Sequence, residues 1–493
     1  MEKLTIHQLL LGYSEVKIPP SLDKSILLEP TLTLSDQNEG YALFITDKLG
    51  EQSGTVDLSY LKSFPSAIVI SENRKIIAGS CPVIRVSNPR KALAYAIYNA
   101  SNIASKKTKF IAVTGTAGKT TTATLIYQIL LKSGNKVGFI GTGKILSGTT
   151  KISDDFYSMT TPDPTLLYPT IAKMQSDGCN YIVMEVSSHS LALAKTAPII
   201  FDYAIFTNLD SEHLDFHSSM DEYFNTKLSL FENTKYGLFN LDDTYSKMAY
   251  NLATCKKSSF GIIHPGDACA TEISVGNVGE ISFFYRDGPI FFKVNSHLIG
   301  AFNAYNLISA IKCTIDLGIK PCVAKKALES VSGIDGRMEI LNGKVTGIID
   351  YAHTPLAFLN CLKALKQRVK PKQNLIVVFG CGGNRDKNKR SVFGEYADKY
   401  ADKIIITEDN NRNESFTSIA RDITNGIHQN YFDIIPDREA AIRFAFDQAK
   451  PGDIVAVIGK GHEKYIISAD QYLPFNEKEI MLDCIAKKEA LCE

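Results

Sequence analysis

The sequence predicts an α/β protein of about three domains that contains two parallel β-sheets. A chain of 493 residues is too long for one compact core. Near-continuous apolar runs alternate with helical patterns, which is typical of parallel strands covered by helices on both faces. The runs lie at 109–114, 136–141, 181–186 and 203–209 in the middle of the chain, and at 375–380, 403–408 and 454–459 in its last third.

The remaining segments depart from this pattern. Residues 271–300 alternate in hydropathy and are rich in Phe and Val, which predicts a small antiparallel insertion. Residues 1–105 carry no strong motif. The segment ESVSGIDGRMEIL (329–341) has the character of a turn after a helix, and we expect a domain boundary there.

The composition excludes several classes of protein. The formal net charge of +1 argues against a protein that binds polyanions such as nucleic acids. No apolar run has the length of a membrane span, and the N-terminus does not resemble a signal peptide, so we expect a cytoplasmic enzyme without membrane insertion. The ten Cys show neither C-x-x-C nor zinc spacing, which predicts reduced thiols. We also expect a monomer.

The segment VTGTAGKTTT (113–122) predicts a phosphate-binding loop between a strand and a helix. Backbone N–H groups in such a turn and at the helix N-terminus bind anions. Gly115 and Gly118 allow close approach, Lys119 would contact the β- and γ-phosphates, and the Thr120 hydroxyl would reach Mg²⁺. Val113 stands where the general P-loop has its first Gly, so an ordinary strand–turn–helix corner is the alternative. The following Lys-Thr-Thr favours the phosphate loop.

Polar clusters follow the other predicted strands as well. Since ligands bind at the carboxyl ends of strands in open α/β sheets, the clusters predict a site between two domains. Glu185 would be a second Mg²⁺ ligand beside Thr120, with a helix cap as the alternative. His213 follows a strand too, where a structural histidine is the alternative. Lys227 lies in a predicted helix, and a solvated helix face is the usual explanation of such a lysine.

The last third offers groups that suit an amino acid. The loop GCGGNRDKNKR (380–390) predicts an anion site, with a solvated basic loop as the alternative. Asp409 and Arg412 suit a zwitterion, and Glu463 in GKGHE would receive an ammonium group. Neither a Ser-His-Asp order nor a paired-Cys nucleophile is evident.

Taken in order, these motifs resemble those of the Mur ligases, and within them the UDP-N-acetylmuramoyl-tripeptide synthetases of peptidoglycan synthesis. The resemblance covers about residues 108–480. It is carried by TGTAGKTT, TTPD, MEVSSHS, FTNLDSEHLDFH, EYFNTK, GAFNAYN, GRME, DYAHTP, VFGCGGNRDKNKR, EDNNR and GKGHEKY.

The resemblance implies a fold and a reaction. The domains would be an acceptor domain for the UDP-sugar (1–105), a central P-loop ATPase domain (106–335) and a C-terminal Rossmann-like amino-acid domain (336–493). ATP, with Mg²⁺, would phosphorylate an acceptor carboxylate, and an incoming amine would attack the acyl phosphate to give an amide, ADP and phosphate.

The resemblance also implies residue roles. Lys119, Glu185, His213 and Lys227 would be catalytic, and the metal ligands would be Thr120, Glu185, His213 and a carbamylated Lys227. The nucleotide would contact Gly115, Thr116, Ala117, Gly118, Lys119, Thr120, Thr121, Asn303, Arg337 and Asp350. The acceptor would contact Thr160, Thr161, Ser187 and Lys195. The amino acid, meso-diaminopimelate rather than lysine, would contact Arg385, Asp409, Asn410, Arg412, Gly459 and Glu463.

The sequence departs from the family pattern at several positions. Ala117 replaces an Asn of the ATP loop, Asn411 replaces a Pro of the amino-acid motif, and Lys195 replaces an acceptor-site Arg. Of the N-terminal UDP-binding motif, LTLSDQNEGYALF keeps only Gly40 and a Leu-Phe pair.

Three hypotheses remain at this point. The first is a ligase that acts on UDP-MurNAc-L-Ala-D-Glu, which the near-complete C-terminal motif set favours. The second is a paralogue that keeps the acyl-phosphate chemistry but uses another carboxylate acceptor in a specialised pathway, which the altered N-terminal motif favours. The third is a nucleotide-binding protein without turnover, against which the intact Lys119, Glu185, His213 and Lys227 count.

Overall fold

The computed structural model of the chain describes residues 1–490, except for 17, 19–21, 23–25, 33–39, 46–55, 58–66, 73–75, 78–80, 104–107, 154–158, 214–215, 277–278 and 470. In this part of the chain the strands form sheets of four, eleven and six strands and two of two strands. The predicted α/β class is confirmed. Among the same residues, no helix combines the length and the apolar character that crossing a membrane requires.

The N-terminal residues form a small α/β unit. The parallel sheet has the order β1-β2-β4-β6, and β3 pairs with β5. Helix α2 begins at Pro89 after Asn88, whose side chain accepts a hydrogen bond from the Lys91 N–H. Leu43 and Phe44 are buried in β2, whereas 33–39 of the expected UDP motif lie outside the described residues. The elements are α1 (Ile6–Leu9), β1 (Glu29–Thr31), β2 (Tyr41–Ile45), β3 (Val56–Asp57), β4 (Ala67–Ser71), β5 (Ile76–Ile77), β6 (Val83–Arg85) and α2 (Pro89–Ala100).

The central sheet has eleven strands in the order β10-β9-β8-β11-β7-β12-β13-β14-β15-β16-β17. The strands are β7 (Lys109–Thr114), β8 (Val137–Gly141), β9 (Lys144–Ser147), β10 (Thr150–Ser153), β11 (Tyr181–Glu185), β12 (Tyr203–Phe206), β13 (Tyr236–Asn240), β14 (Lys256–Gly261), β15 (Ala268–Val275), β16 (Glu280–Asp287) and β17 (Ile290–Ile299). The helices are α3 (Lys119–Lys132), α4 (Pro164–Ser176), α5 (Ser188–Ala192), α6 (Met220–Leu228), a 3-10 helix (Ser229–Asn233), α7 (Thr244–Leu252), α8 (Asn303–Asp316) and α9 (Pro321–Glu329).

This sheet is mixed, which corrects the expectation of a parallel central sheet. It is parallel from β8 to β15 and antiparallel at both edges, where β9–β10 and β15–β17 are joined by short turns. Antiparallel strands can extend an edge without a crossover helix. The predicted antiparallel segment 271–300 is therefore confirmed in its pairing, but it continues the central sheet rather than standing apart from it.

The C-terminal sheet has the order β18-β19-β23-β20-β21-β22, with β18 antiparallel to its neighbour and the other pairs parallel. The elements are β18 (Glu339–Leu341), β19 (Thr346–Asp350), α10 (Pro355–Arg368), β20 (Leu375–Phe379), α11 (Asn388–Tyr400), β21 (Lys403–Ile406), α12 (Phe416–Thr424), β22 (Phe432–Ile434), α13 (Arg438–Gln448), β23 (Ile454–Ile458), the hairpin β24 (Tyr465–Ser468) and β25 (Gln471–Pro474), and α14 (Glu477–Ala490).

Helices cover both faces of this sheet, as the Rossmann-like prediction requires. The buried side chains of α10, α11 and α12 pack on one face, and those of α13 and α14 pack on the other. Alternate residues of a strand therefore point into two different cores: Val377 into the first, and Ile376 and Val378 into the second.

Two arginines in this region are fully buried. Arg390 pairs with Glu414 at 2.7 Å and with Asp422 at 2.8 Å, and Arg438 pairs with Glu477 at 2.6 Å. Arg390 holds the pKa of Glu414 at about 2. Only part of the basic loop 380–390 is therefore available for an anion. Arg390 points inward, and its ion pairs with Glu414 and Asp422 fix the loop.

We expect Arg390→Met to lower the free energy of unfolding by about 3 kcal/mol, because it leaves two carboxylates without their buried partner. Urea denaturation followed by circular dichroism would measure the change. The matched control is Arg443→Met. Arg443 pairs with Glu439 and Asp483 at the surface, where water and salt screen the pairs, so its loss should change the stability much less.

The effect of Arg390 should also depend on pH. The pKa of Glu414 is lower in the folded protein than its ordinary value of 4.5. Its stabilising contribution is therefore present above pH 4.5 and is lost as the pH falls towards about 2. The difference between wild type and Arg390→Met should shrink over that range. A difference that does not change with pH would contradict this account of the loop.

Candidate active site

Strand ends at one edge of the central sheet bring the predicted phosphate and metal residues together. Parallel pairing sets Val113 of β7 opposite Glu185 of β11, and Thr114 of β7 opposite Phe206 of β12. The loops that leave the three strands therefore begin side by side. They contain the phosphate loop, the Ser187 turn and the segment with His213.

The phosphate loop is held by the residues that follow β12. The Asn208 side chain accepts a hydrogen bond from the Ala117 N–H at 2.8 Å and donates one to the Ala117 carbonyl at 3.1 Å. The Thr207 hydroxyl donates to the same carbonyl at 2.7 Å. Thr116 is hydrogen bonded to Tyr223 at 3.1 Å. Although Ala117 replaces the family's Asn, the side chains of Thr207 and Asn208 hold the Ala117 peptide groups in place.

Helix α3 begins at Lys119 directly after this loop. Gly118 has φ +84°, and no side chain caps the helix, so the first N–H groups are available to an anion. The Lys119 ammonium group donates to the carbonyl oxygens of Gly115 and Thr116 at 2.8 and 2.7 Å. Thr120 and Thr121 lie in the first helical turn. This arrangement is that of a phosphate-binding loop.

Glu185 is fully buried at the end of β11 and contacts the loop directly. Its carboxylate accepts hydrogen bonds from the Thr120 hydroxyl at 2.8 Å and from the Thr142 N–H and hydroxyl at 3.0 and 3.2 Å. Thr120 also accepts a hydrogen bond from Arg337 at 3.0 Å. Carboxylate and hydroxyl oxygens are the ligands that Mg²⁺ prefers, so the pair Thr120–Glu185 fits this ion.

Lys227 is buried in α6 and faces the phosphate loop. Its Nζ donates to the Gly115 carbonyl at 3.0 Å and lies 4.7 Å from the centre of the Tyr223 ring. Burial, with the Lys119 charge as a further cause, lowers the pKa of Lys227 well below its ordinary value. The alternative explanation, that Lys227 lies on a solvated helix face, is therefore wrong. An uncharged amine is favoured at this position.

His213 lies beside the same site but in contact with other groups. Its ring is 4.7 Å from that of His189 and its Nε2 is 3.5 Å from Glu212. Burial lowers the pKa of His213 to about 3, although Glu212 acts in the opposite direction. The neutral imidazole is the form that binds a metal. Among the described residues no group of three or more His, Cys, Asp or Glu could hold a metal alone, so hydroxyl and substrate oxygens would have to complete the set.

The four predicted acceptor residues form one cluster next to Glu185. Thr160 accepts a hydrogen bond from Thr142 at 3.1 Å. The Thr161 hydroxyl donates to the Glu185 carbonyl at 2.9 Å and accepts from the Ser187 N–H at 3.3 Å. In a separate contact, the Lys195 ammonium group lies 2.7 Å from Asp163 and 3.5 Å from the Thr161 carbonyl. Lys195 is thus oriented by the TTPD motif that carries the two threonines.

The predicted nucleotide residues outside the loop lie in two places. Asn303 begins α8, where it accepts a hydrogen bond from Asn306 at 2.8 Å. Arg337 lies 4.4 Å from the Tyr351 ring centre and connects the C-terminal residues to Thr120. Asp350 ends β19 and accepts from the Met338 and Ala352 N–H groups at 2.7 and 2.8 Å. Burial raises the pKa of Asp350.

The predicted amino-acid residues meet at the carboxyl ends of β21 and β23. Asp409 and Asn410 follow β21, and Gly459 follows β23, with an ideal Cβ at Gly459 placed only 3.0 Å from Asp409. Asn410 donates to Glu463 at 3.0 Å. Arg412 donates to the Gly383 carbonyl at 2.9 Å.

Two guanidinium groups share this pocket. Burial lowers the pKa of Arg412, and the Arg385 charge lowers it further. Two cations held close together favour an anionic ligand between them. Asn411, where the family has Pro, donates to Glu408 at 3.0 Å, and the Arg412 N–H donates to Ile467 at 3.1 Å. Hydrogen bonds therefore restrain the loop that a proline ring would otherwise stiffen.

Comparisons with known proteins decide the family. The Mur ligase middle domain model matches residues 113–314, and the glutamate ligase domain model of Mur ligases matches residues 336–461. The UDP-N-acetylmuramoyl-L-alanyl-D-glutamate--2,6-diaminopimelate ligase 1 of Clostridium acetobutylicum is 38% identical over 82% of this chain and 84% of its own. The chain belongs to the Mur ligase family.

Further relatives agree with this Mur ligase assignment. The corresponding diaminopimelate ligase of Aquifex aeolicus is 38% identical over 83% of this chain and 84% of its own. A solved UDP-N-acetylmuramoyl-L-alanyl-D-glutamate--2,6-diaminopimelate ligase covers 99% of both chains at 25% identity with a TM-score of 0.67. The MurF ligase of Thermotoga maritima in complex with ADP, at 18% identity and a TM-score of 0.62 over 94% of this chain and 98% of its own, is similar in fold.

The structure of this Mur ligase also shows site residues that the sequence did not single out. Thr142 and Asn208 fix Glu185 and the phosphate loop. Glu212 accepts a hydrogen bond from His353 at 2.7 Å, which is a second connection between the central and C-terminal parts. Lys460 lies among the predicted amino-acid residues, next to Asp409, Asn410 and Glu463. Each of these residues follows an apolar strand or lies within a recognised motif. That position was the signal in the sequence that could have identified them.

We expect Gly118→Ala to reduce ATP-dependent turnover about 100-fold, because a misplaced loop misaligns the phosphates. An added Cβ would lie 2.5 Å from the Asn306 Oδ1. Asn306 cannot easily move, since it is hydrogen bonded to Thr122 and Asn303. The readout is the rate of ADP formation.

Gly134→Ala is the matched control. Gly134 has the same φ of +84°, but nothing lies within 4 Å of its added Cβ. It should lose about 1 kcal/mol of stability from backbone strain and keep its turnover. Equal turnover in the two variants would show that the space around Gly118 does not matter.

Proposed function

We propose that this Mur ligase joins meso-diaminopimelate to the D-Glu carboxylate of UDP-MurNAc-L-Ala-D-Glu in peptidoglycan synthesis, with cleavage of ATP to ADP and phosphate. Members of the family use ATP, and the curated relatives named for this reaction match more than four fifths of the chain. The observation that carries the proposal is the contact between Arg337 and Thr120, which brings the amino-acid part of the chain to the phosphate loop.

The reaction has two steps. The γ-phosphoryl group of ATP is transferred to an oxygen of the acceptor carboxylate, which gives an acyl phosphate and ADP. The amine of the incoming amino acid then attacks the carbonyl carbon, the C–N bond forms, the amine loses a proton and phosphate leaves. Lys119 and the N-terminus of α3 stabilise the negative charge of the transferred group. Bound Mg²⁺ would supply further electrostatic stabilisation, with Thr120, Glu185, His213 and carbamylated Lys227 as its ligands.

Lys227 meets the chemical condition for carbamylation. Only an uncharged amine attacks CO₂, and burial beside Lys119 favours the uncharged amine at Lys227. Attack forms an N–C bond and releases a proton, which leaves a carbamate with two oxygen ligands. This modification also converts an uncharged amine beside Lys119 into an anion, which attracts the Lys119 ammonium group.

The acceptor and the amino acid would contact different groups of residues. We propose that Thr160, Thr161, Ser187 and Lys195 hold the acceptor, since they surround the Glu185 end of the phosphate site. Arg412 and Arg385 would receive the distal carboxylate of diaminopimelate, and Asp409 and Glu463 its ammonium group. Lysine lacks that carboxylate and would leave the half-buried Arg412 guanidinium without an anion, which is unfavourable.

Three further expectations follow from this function. We propose that residues 1–105 bind the UDP-sugar, 106–335 bind ATP and 336–493 bind the amino acid. We propose a monomer that acts in the cytoplasm, where ATP and the UDP-sugar are available.

We expect Lys227→Ala to be nearly inactive, because it loses the carbamate that would complete the metal site. Added short-chain carboxylate should partly restore turnover, whereas chloride at the same ionic strength should not. Mass spectrometry of the native protein should show the CO₂ adduct of 44 Da on this lysine, a value set by the chemistry of carbamylation. Full turnover of the variant without added carboxylate would contradict this role.

Phosphate release tests the whole function. With ATP and UDP-MurNAc-L-Ala-D-Glu, the wild type should prefer diaminopimelate over lysine in kcat/KM by at least about 100-fold, the loss expected when a charged group has no partner. Arg412→Ala should lose most of this preference. Arg421→Ala, at an exposed residue of α12, is the control and should retain it.

A different result would contradict each part of the proposed function: the acceptor, the amino acid and the catalysis. Turnover with another carboxylate acceptor, and none with the UDP-dipeptide, would favour the paralogue. A wild type that prefers lysine would show that the pocket is assigned wrongly. ATP binding without turnover in any combination would favour a non-catalytic protein.

A further inference from the structure

A lysine occupies the centre of the proposed amino-acid pocket. Lys460 is fully buried, and its Nζ lies 2.9 Å from the Asn410 Oδ1, 3.0 Å from Glu463 and 3.4 Å from Asp409. The two carboxylates expected to receive the ammonium group of the substrate thus already share a cation that belongs to the protein.

This contact orients both carboxylates. One Glu463 oxygen accepts from Lys460 and Asn410, and the other accepts from the Tyr351 hydroxyl at 3.2 Å. The Asn410 Oδ1 in turn accepts from the Ile467 N–H at 2.9 Å. Lys460 therefore closes a network that connects the loops after β21 and β23 with strand β24.

The charges around the network explain why a cation is needed. Two carboxylates that are buried close together cannot both stay ionised without a counter-charge. Lys460 and then Arg438 hold the pKa of Asp409 below its usual range, against the effect of burial. Glu408 and Glu477 also lie near these charges.

We propose that Lys460 is a positioning residue for the incoming amino acid: it holds the carboxylates of Asp409 and Glu463 together and pointed at one place, so that their remaining negative charge accepts a single ammonium group of the substrate. This inference rests on the proposed function, because it assumes that the pocket receives an amino acid. It assigns Lys460 no contact with the reacting atoms.

The test compares Lys460→Met, which removes the charge but keeps much of the length, with Lys460→Arg, which keeps the charge. Steady-state phosphate release is measured while each of the three substrates is varied. In Lys460→Met the KM for diaminopimelate should rise at least about tenfold, the cost of one charged hydrogen bond, while the KM values for ATP and the UDP-dipeptide change less than about twofold. Lys460→Arg should recover part of the loss.

The pH profile gives the second readout. Without the cation, a carboxylate is harder to ionise, so the acidic limb of kcat/KM for diaminopimelate should move to higher pH in Lys460→Met and stay near the wild-type position in Lys460→Arg. A purely structural defect would not move this limb.

Lys312→Met is the matched control. Lys312 is also a buried lysine between two carboxylates, at 3.2 Å from Asp287 and 2.8 Å from Asp316, but it lies in α8 outside the pocket. It should lose stability without a change in the KM for diaminopimelate.

Three results would overturn the proposal: an unchanged KM for diaminopimelate in Lys460→Met, an equal rise in all three KM values, or an acidic limb that does not move. If Lys460→Met does not fold, Lys460→Arg decides. In that variant, a tenfold or larger rise in KM that is limited to ATP would also overturn the proposal. If the wild type uses another amino acid, the proposed function fails, and the same comparison with that amino acid still decides the role of Lys460.

Discussion

The buried carboxylate of Glu185 is the constraint on which the arrangement of the active site depends. A buried carboxylate is tolerated only when its oxygens receive hydrogen bonds or a cation. Its donors come from Thr120 in α3 and Thr142 after β8, while its own carbonyl receives the Thr161 hydroxyl. Three segments far apart in sequence are therefore fixed around a single residue.

The neighbouring strand leaves room for this carboxylate. An added Cβ at Gly141 would lie 2.3 Å from the Glu185 Oε1, so only glycine at the end of β8 allows the carboxylate to stand beside the strand. The same carboxylate lies next to the proposed acceptor residues. Phosphoryl transfer needs the nucleotide and the acceptor close together, and the pairing of β8, β11 and β7 brings the residues proposed for both to one edge of the sheet.

The sequence predicted the strands well because parallel strands covered on both faces are apolar along their whole length. All seven apolar runs are strands that begin within one residue of the predicted start. It could not predict the antiparallel edges β9–β10, which are short and only partly buried. It also could not show that Arg390 turns inward, because composition does not distinguish a basic loop that binds anions from one that is held by its own carboxylates.

The residues of the candidate site were predicted to a similar extent, and those that were missed were missed for a similar reason. Motif residues at strand ends meet as expected, as Thr120 and Glu185 show, since the register of parallel strands brings those ends together. Lys227 was recognised only through the family motif, because a lysine in an amphipathic segment does not reveal that the segment is buried. Residues that act by holding others, such as Asn208 and Lys460, carry no chemical signature of their own and become visible only through their contacts.

The balance of charge in the amino-acid pocket connects these observations to substrate choice. Arg385 and Arg412 carry two positive charges at the end of the pocket proposed for the distal carboxylate, and the network of Lys460, Asp409 and Glu463 lies at the end proposed for the ammonium group. The attacking amine of the substrate must be uncharged when it reacts. Diaminopimelate in that state carries two carboxylates and one ammonium group, so its distal carboxylate would offset the charge of the two arginines. Lysine in the same state has only one carboxylate and would leave the two arginines without an anion, which is unfavourable for the half-buried Arg412. On the proposed assignment, discrimination between the two amino acids would therefore depend on both ends of the pocket: on the arginines that would touch the distal carboxylate, and on the network that Lys460 holds together.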